Sequence, residues 1–195
     1  MIVVPDHIRG LVFDLDGTIA HTMPLHYKAW IRALGEHGVD FPEALFYEFG
    51  GMPTDVIIAT LNERHGYTMP VQETAHRKEE WFEELIPQAT PIEPVLAVIK
   101  QNVGRLPMAV ATGGYRRIAE KTLNAMGVRQ HMGAVVCAED VTNGKPAPDI
   151  FLKAASLIGI APTDCMAFED ANLGIQAATA AGMLVFDVRT LPPSP

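Results

Sequence analysis

Cysteine is scarce: Cys137 and Cys165 are the only two in 195 residues. Two thiols build no disulfide framework, and because each lies in an apolar run, both read as small core residues in a cytoplasmic setting. Positive charge is scarce as well, with 15 Lys and Arg against 23 Asp and Glu and a formal net charge of -8. Nucleic acid and anionic membranes bind clustered Lys and Arg, so neither is an expected partner. Long apolar runs are missing: none approaches the roughly 18 residues of a membrane span. Met1 to Gly10 has no basic segment leading into an apolar stretch, so no targeting signal is expected. Internal repeats and low-complexity segments are absent, and the 7 histidines are scattered without metal-ligand spacing.

What remains is an ordinary globular chain, 48% hydrophobic and 19% charged, of a length for one full domain plus a small insertion. Its organising stretch is Leu11-Val12-Phe13-Asp14-Leu15-Asp16-Gly17-Thr18. An apolar run without polar interruption reads as a strand buried on both faces, the kind found inside a parallel sheet. Asp14 and Asp16 fall where that strand should end, and ligands of open α/β sheets bind at that edge.

After Thr18 the pattern turns helical. Tyr27, Trp30, Ile31 and Leu34 share a face behind Pro24; further helices are expected over Pro42 to Phe49, from Thr54 as N-cap to Gly66, and from Pro70 to Pro87. No strand signal appears between Thr22 and Pro91. From Pro94 onward helix and strand alternate, with strands at Met108 to Thr112, Ala134 to Cys137, Cys165 to Glu169 and Leu184 to Val188. Alternation of this kind builds a parallel sheet through right-handed crossovers. The expected fold is α/β, a Rossmann-like parallel five-stranded core with a helical insertion after the first strand. The core is assigned to 1–21 and 91–195 and the insertion to 22–90, with Leu191 to Pro195 as a loose tail.

The carboxyl ends of these strands carry Asp14 and Asp16, then Thr112-Gly113-Gly114, then a loop with Lys145-Pro146, then Glu169-Asp170. Unit charges about 4 Å apart repel by roughly 4 kcal/mol at an effective dielectric of 20, so several unpaired carboxylates would not stay ionised together. A hard divalent cation relieves them, and Mg²⁺ suits a shell shared with phosphate oxygens. Mg²⁺, one Lys, one Thr hydroxyl and glycine backbone N–H groups make a phosphoryl cradle that leaves a carboxylate as nucleophile.

These segments resemble the haloacid-dehalogenase-like hydrolase superfamily over nearly the whole chain. Asp14-Leu15-Asp16-Gly17-Thr18 is similar to its first motif, Thr112 to its second, Lys145 in Gly144-Lys145-Pro146-Ala147-Pro148-Asp149 to its third, and Glu169-Asp170 to its fourth. The insertion is similar to the family's cap. The β-phosphoglucomutase-like branch, with its compact fructose 1-phosphate phosphatases, is the nearest in pattern.

The resemblance implies Asp14 as the nucleophile forming an aspartyl-phosphate, Asp16 as general acid/base, and Thr112 and Lys145 as holders of the phosphoryl group. Asp14, the Asp16 carbonyl and Asp170 would bind Mg²⁺, with Glu169 as further ligand or orienting group. Gly113 and Gly114 would contact the substrate, Gly114 by backbone in place of the Ser or Asn often seen at its position. His26 matches a hinge histidine of the mutase-like branch. Mutases carry an Arg three residues after a cap glycine; the matching position after Gly51 is Thr54, so these two are the cap-side substrate contacts. His21 stands where many relatives have an acid, and reads as a solvated loop residue.

The function expected is Mg²⁺-dependent hydrolysis of small sugar or polyol phosphates, with a small phosphorylated metabolite as the partner and no obligate protein partner. The alternative is a hexose-phosphate mutase on the same scaffold. A receiver domain also groups acids, a Thr and a Lys around a phosphorylated Asp, but normally puts the acceptor on a later strand and lacks a long helical insertion. A dehalogenase would not need Asp16 as proton donor.

Overall fold

A computed structural model describes residues 2–192. The chain enters through β1 (Gly10–Phe13), turns through a short strand β2 (Ala20–His21), and runs into α1 (Met23–Gly35), α2 (Glu43–Glu48), α3 (Thr54–His65) and α4 (Val71–Leu85). It returns by β3 (Thr90–Pro91) to α5 (Glu93–Asn102), β4 (Met108–Ala111), α6 (Arg116–Ala125), β5 (Ala134–Val136), α7 (Asp149–Leu157), β6 (Cys165–Glu169), α8 (Asn172–Ala180) and β7 (Leu184–Asp187). Five strands form one parallel sheet in the order β5-β4-β1-β6-β7. The α/β class, the five parallel strands and the helical insertion after β1 are as the sequence predicts.

Alternation along β1 explains why it is central. Leu11 and Phe13 face a core that includes Val98, Ile99, Ala119 and Leu123 of α5 and α6, while Val12 faces Phe151, Ala154, Ala177 and Ala178 of α7 and α8. With helices on both faces a strand needs apolar residues at every position, and all three of these side chains are fully buried. Cys137 and Cys165 are free and buried, as small core residues. Among the described residues no helix is long and apolar enough to cross a membrane.

α1 to α4 have an apolar cluster of their own, centred on Trp30, Phe41, Phe46, Ile58 and Leu61. A second cluster joins this layer to α6, with Phe82 and Leu25 against Ile118.

The structure departs from the sequence reading in two places here. Ala20 pairs with Pro91 and His21 with Thr90 in an antiparallel ribbon where the insertion leaves and rejoins the sheet; two-residue strands carry no periodicity to detect. Thr54 is not the N-cap of α3. Pro53 holds that position with extended backbone, and the Thr54 hydroxyl donates instead to Glu79. The expected tail falls partly outside the described residues, which end at 192.

Candidate active site

β1 delivers Asp14 to the sheet edge, where its N–H donates to the Phe168 carbonyl of β6 at 3.0 Å. The chain then reverses at once: the Leu15 carbonyl accepts the N–H groups of Ile19 and Ala20 at 2.9 and 3.0 Å. Gly17 takes a φ of +84° in this turn, and a Cβ there would lie 2.1 Å from Asp170 Oδ2. Only glycine lets the first strand's loop approach the carboxylate at the end of β6 this closely.

The four strand ends converge. Lys145 is buried and donates to Asp14 Oδ1 at 2.7 Å and Glu169 Oε1 at 2.5 Å. Glu169 Oε2 accepts the Ala171 N–H at 2.8 Å, so both its oxygens are engaged and it orients Lys145. Asp170 Oδ1 accepts from the Thr18 hydroxyl at 3.1 Å. Carboxylate oxygens of Asp14, Glu169 and Asp170 lie within 4.8 Å of one another. Thr112 is buried, and its Oγ1 accepts the Gly114 N–H at 3.0 Å. Gly113 and Gly114 both line the cleft. Gly113 meets the insertion, since a Cβ on it would lie 2.4 Å from the Gly51 carbonyl oxygen.

The electrostatics show what this arrangement demands. Burial pushes the Asp14 carboxyl well above its ordinary value; Lys145 opposes this, while Glu169 and Asp170 add to it. Asp170 is pushed up to about 7, by burial first and then by Glu169. Lys145 is raised because Asp14 and Glu169 outweigh its burial. Three acids share one Lys, and a divalent cation on the free oxygens of Asp14 and Asp170 is the chemical complement of that imbalance. The donor set is all oxygen, which suits Mg²⁺.

Asp16 also lines the cleft, and it turns Oδ1 toward α1. Its Oδ1 accepts the Thr22 hydroxyl at 2.7 Å and lies 3.0 Å from His26 Nε2, off the axis of the ring N–H. Burial disfavours its charge, but His26, Thr22 and Lys78 prevail and hold it below the usual carboxylate range. His26 stacks on Phe82 with centroids 3.6 Å apart. Lys78 Nζ stands 2.9 Å from His26 Nδ1. An ammonium only donates, so Nδ1 accepts and the imidazole proton is assigned to Nε2, beside Asp16.

Sequence reasoning missed Glu79. It is buried, and its Oε1 accepts from Lys78 at 3.0 Å and from Thr54 at 2.5 Å. In the run Arg77-Lys78-Glu79-Glu80 it looks like a solvated helix face. A signal was present: Lys78 follows Thr74 and Glu79 follows Ala75 by four, which puts both on the inward side. Arg77 instead is exposed and paired with Glu36 and Glu80. His21 is exposed, as expected of a solvated residue.

A parallel α/β sheet thus gathers paired acids, a Thr, a Lys and a further acid pair at its carboxyl edge, the layout of a hydrolase. The profile of the haloacid dehalogenase-like hydrolases matches residues 8–182, and the chain belongs to that family. It is 42% identical to the fructose-1-phosphate phosphatase YqaB of Escherichia coli (strain K12) over 95% of this chain and 99% of that one. Against the β-phosphoglucomutase of Bacillus subtilis (strain 168) the identity is 30%, over 93% and 83%. Among solved structures, CbbY of Rhodobacter sphaeroides in complex with phosphate superposes with a TM-score of 0.82 at 25% identity, over 91% and 84%.

Proposed function

We propose that the chain is an Mg²⁺-dependent phosphatase of small sugar or polyol phosphates that works through an aspartyl-phosphate. The observation that carries this reading is Asp14: one oxygen is fixed by Lys145, and the other accepts no hydrogen bond among the described residues. The likeness to a fructose-1-phosphate phosphatase supports the substrate class. Mg²⁺, held by Asp14, Asp170 and the Asp16 carbonyl, would neutralise the phosphoryl oxygens and the acids around them.

The free oxygen of Asp14 attacks phosphorus as the ester P–O bond breaks, and Asp16 gives its proton to the departing sugar oxygen. Asp16 is held ionised by His26 and Thr22, but a phosphate dianion beside it raises its proton affinity. Left as a carboxylate, Asp16 then takes a proton from water, whose oxygen attacks phosphorus, releases phosphate and restores Asp14. Lys145 and the Thr112 hydroxyl hold the equatorial oxygens, with the Gly113 backbone beside them.

In this reading residues 1–21 and 91–195 are the core and 22–90 a cap that closes about the Ala20 to Pro24 and Pro87 to Pro91 connectors. The protein works on metabolites in the cytoplasm, where Cys137 and Cys165 stay reduced. A mutase is less well supported. Holding a bisphosphate intermediate calls for a cap cation, and Thr54 stands where the resembling mutases have Arg. Among the described residues lining the cleft, Lys78 is the one Lys or Arg of α1 to α4, and it is engaged by His26 and Glu79.

A screen of sugar and polyol phosphates for phosphate release tests the reading. Turnover of fructose 1-phosphate with Mg²⁺ and none with a chelator is the expected result. Interconversion of glucose 1-phosphate and glucose 6-phosphate without phosphate release would overturn it.

A further inference from the structure

The cleft over Asp14 and Asp16 continues beneath α1 to α4. Trp30, Phe46, Phe49, Met52 and Ile57 make much of its wall on that side apolar. The polar interruption is His26, Thr54, Lys78 and Glu79. Thr54 and Lys78 both donate to Glu79 Oε1. Glu79 lines the cleft, and its Oε2 accepts no hydrogen bond among the described residues. Lys78 has three N–H donors, and His26 and Glu79 take two of them.

The mostly apolar wall therefore includes a carboxylate and an ammonium that each keep hydrogen-bonding capacity beyond their protein partners. A hydroxylated chain matches them, because each hydroxyl both donates and accepts. A second phosphate or a carboxylate does not match, because it only accepts and would meet Oε2 as a like charge.

We propose that Glu79 is a specificity-determining residue: through Oε2 it takes a hydroxyl of a neutral polyhydroxy leaving group and rejects substrates with a second anionic end. The proposal rests on the phosphatase reading. It adds a means of choosing among phosphate esters that Asp14 and its neighbours treat alike.

The test compares kcat/KM for fructose 1-phosphate, fructose 1,6-bisphosphate and p-nitrophenyl phosphate, whose leaving group offers no alcohol chain. Wild-type protein should prefer the monophosphate to the bisphosphate by about tenfold or more, the scale of one charged hydrogen bond. Glu79→Gln should narrow that preference to below about threefold. It should also raise KM for fructose 1-phosphate about tenfold, with a smaller change on p-nitrophenyl phosphate.

Glu79→Asp, which keeps the charge beside Lys78 but draws the carboxylate back, should shift the same KM in the same direction if Glu79→Gln fails to fold. Equal wild-type turnover of monophosphate and bisphosphate would overturn the proposal. So would an equal loss on all three substrates, which would make Glu79 a support for Lys78 and His26. Wild-type protein that hydrolyses none of the three would instead remove the phosphatase reading itself.

Discussion

Lys78 Nζ stands 2.9 Å from His26 Nδ1 and 3.0 Å from Glu79 Oε1, so one buried ammonium links the imidazole beside Asp16 to the cap carboxylate. Removing one partner of a buried pair strands the other charge, at a cost of about 3–5 kcal/mol, whereas removing both costs less. Lys78→Met should therefore lower Tm by about 6–20 °C at this chain length. The double variant Lys78→Met, Glu79→Gln should recover at least half of that loss. Equal Tm values for the single and double variants in thermal melts would show that the pair is not coupled.

Asp16→Asn should depend on the leaving group. An alkyl alkoxide needs a proton as it departs and p-nitrophenolate needs little, so kcat on fructose 1-phosphate should fall by about 10²–10⁴ and fall much less on p-nitrophenyl phosphate. Matching losses on the two substrates would argue against Asp16 as the acid.

The metal-free protein should lose stability as pH rises from about 4 to about 8 through the Asp14–Asp170 pair. Asp170 is pushed up to about 7 and Asp14 is also raised, so the folded chain keeps protons that the unfolded chain releases. With more protons bound in the folded state, rising pH favours unfolding. Asp16 and Glu79 are shifted the other way and act only toward acid pH. Millimolar Mg²⁺ should raise Tm more at about pH 8 than at about pH 5, where protons compete for the same oxygens. Asp170→Ala should flatten both effects and raise the Mg²⁺ needed for half-maximal rate. A Mg²⁺ shift independent of pH would contradict the assignment of these acids to the metal.

Much of this site was legible before the fold was known, because its groups sit at the ends of strands whose apolar runs mark themselves. Asp14, Thr112 and Glu169 each end or follow such a run, Lys145 lies in the loop after β5, and the parallel order brings them to one edge. What stayed hidden depends on pairing across the chain. Thr54 and Glu79 are 25 residues apart, and their hydrogen bond turns an apparent helix cap and an apparent surface acid into the polar part of a cleft wall. The bond from the Gly114 N–H to Thr112 Oγ1 was hidden for the same reason, since it is a matter of side-chain direction rather than spacing.

The most direct measurement of the central claim is kcat for Mg²⁺-dependent phosphate release from fructose 1-phosphate by Asp14→Asn. An amide cannot attack phosphorus and removes a charge from the metal site, so the rate should fall below about 0.1% of wild type. Retention of more than about one percent by a folded variant would show that Asp14 is not the nucleophile.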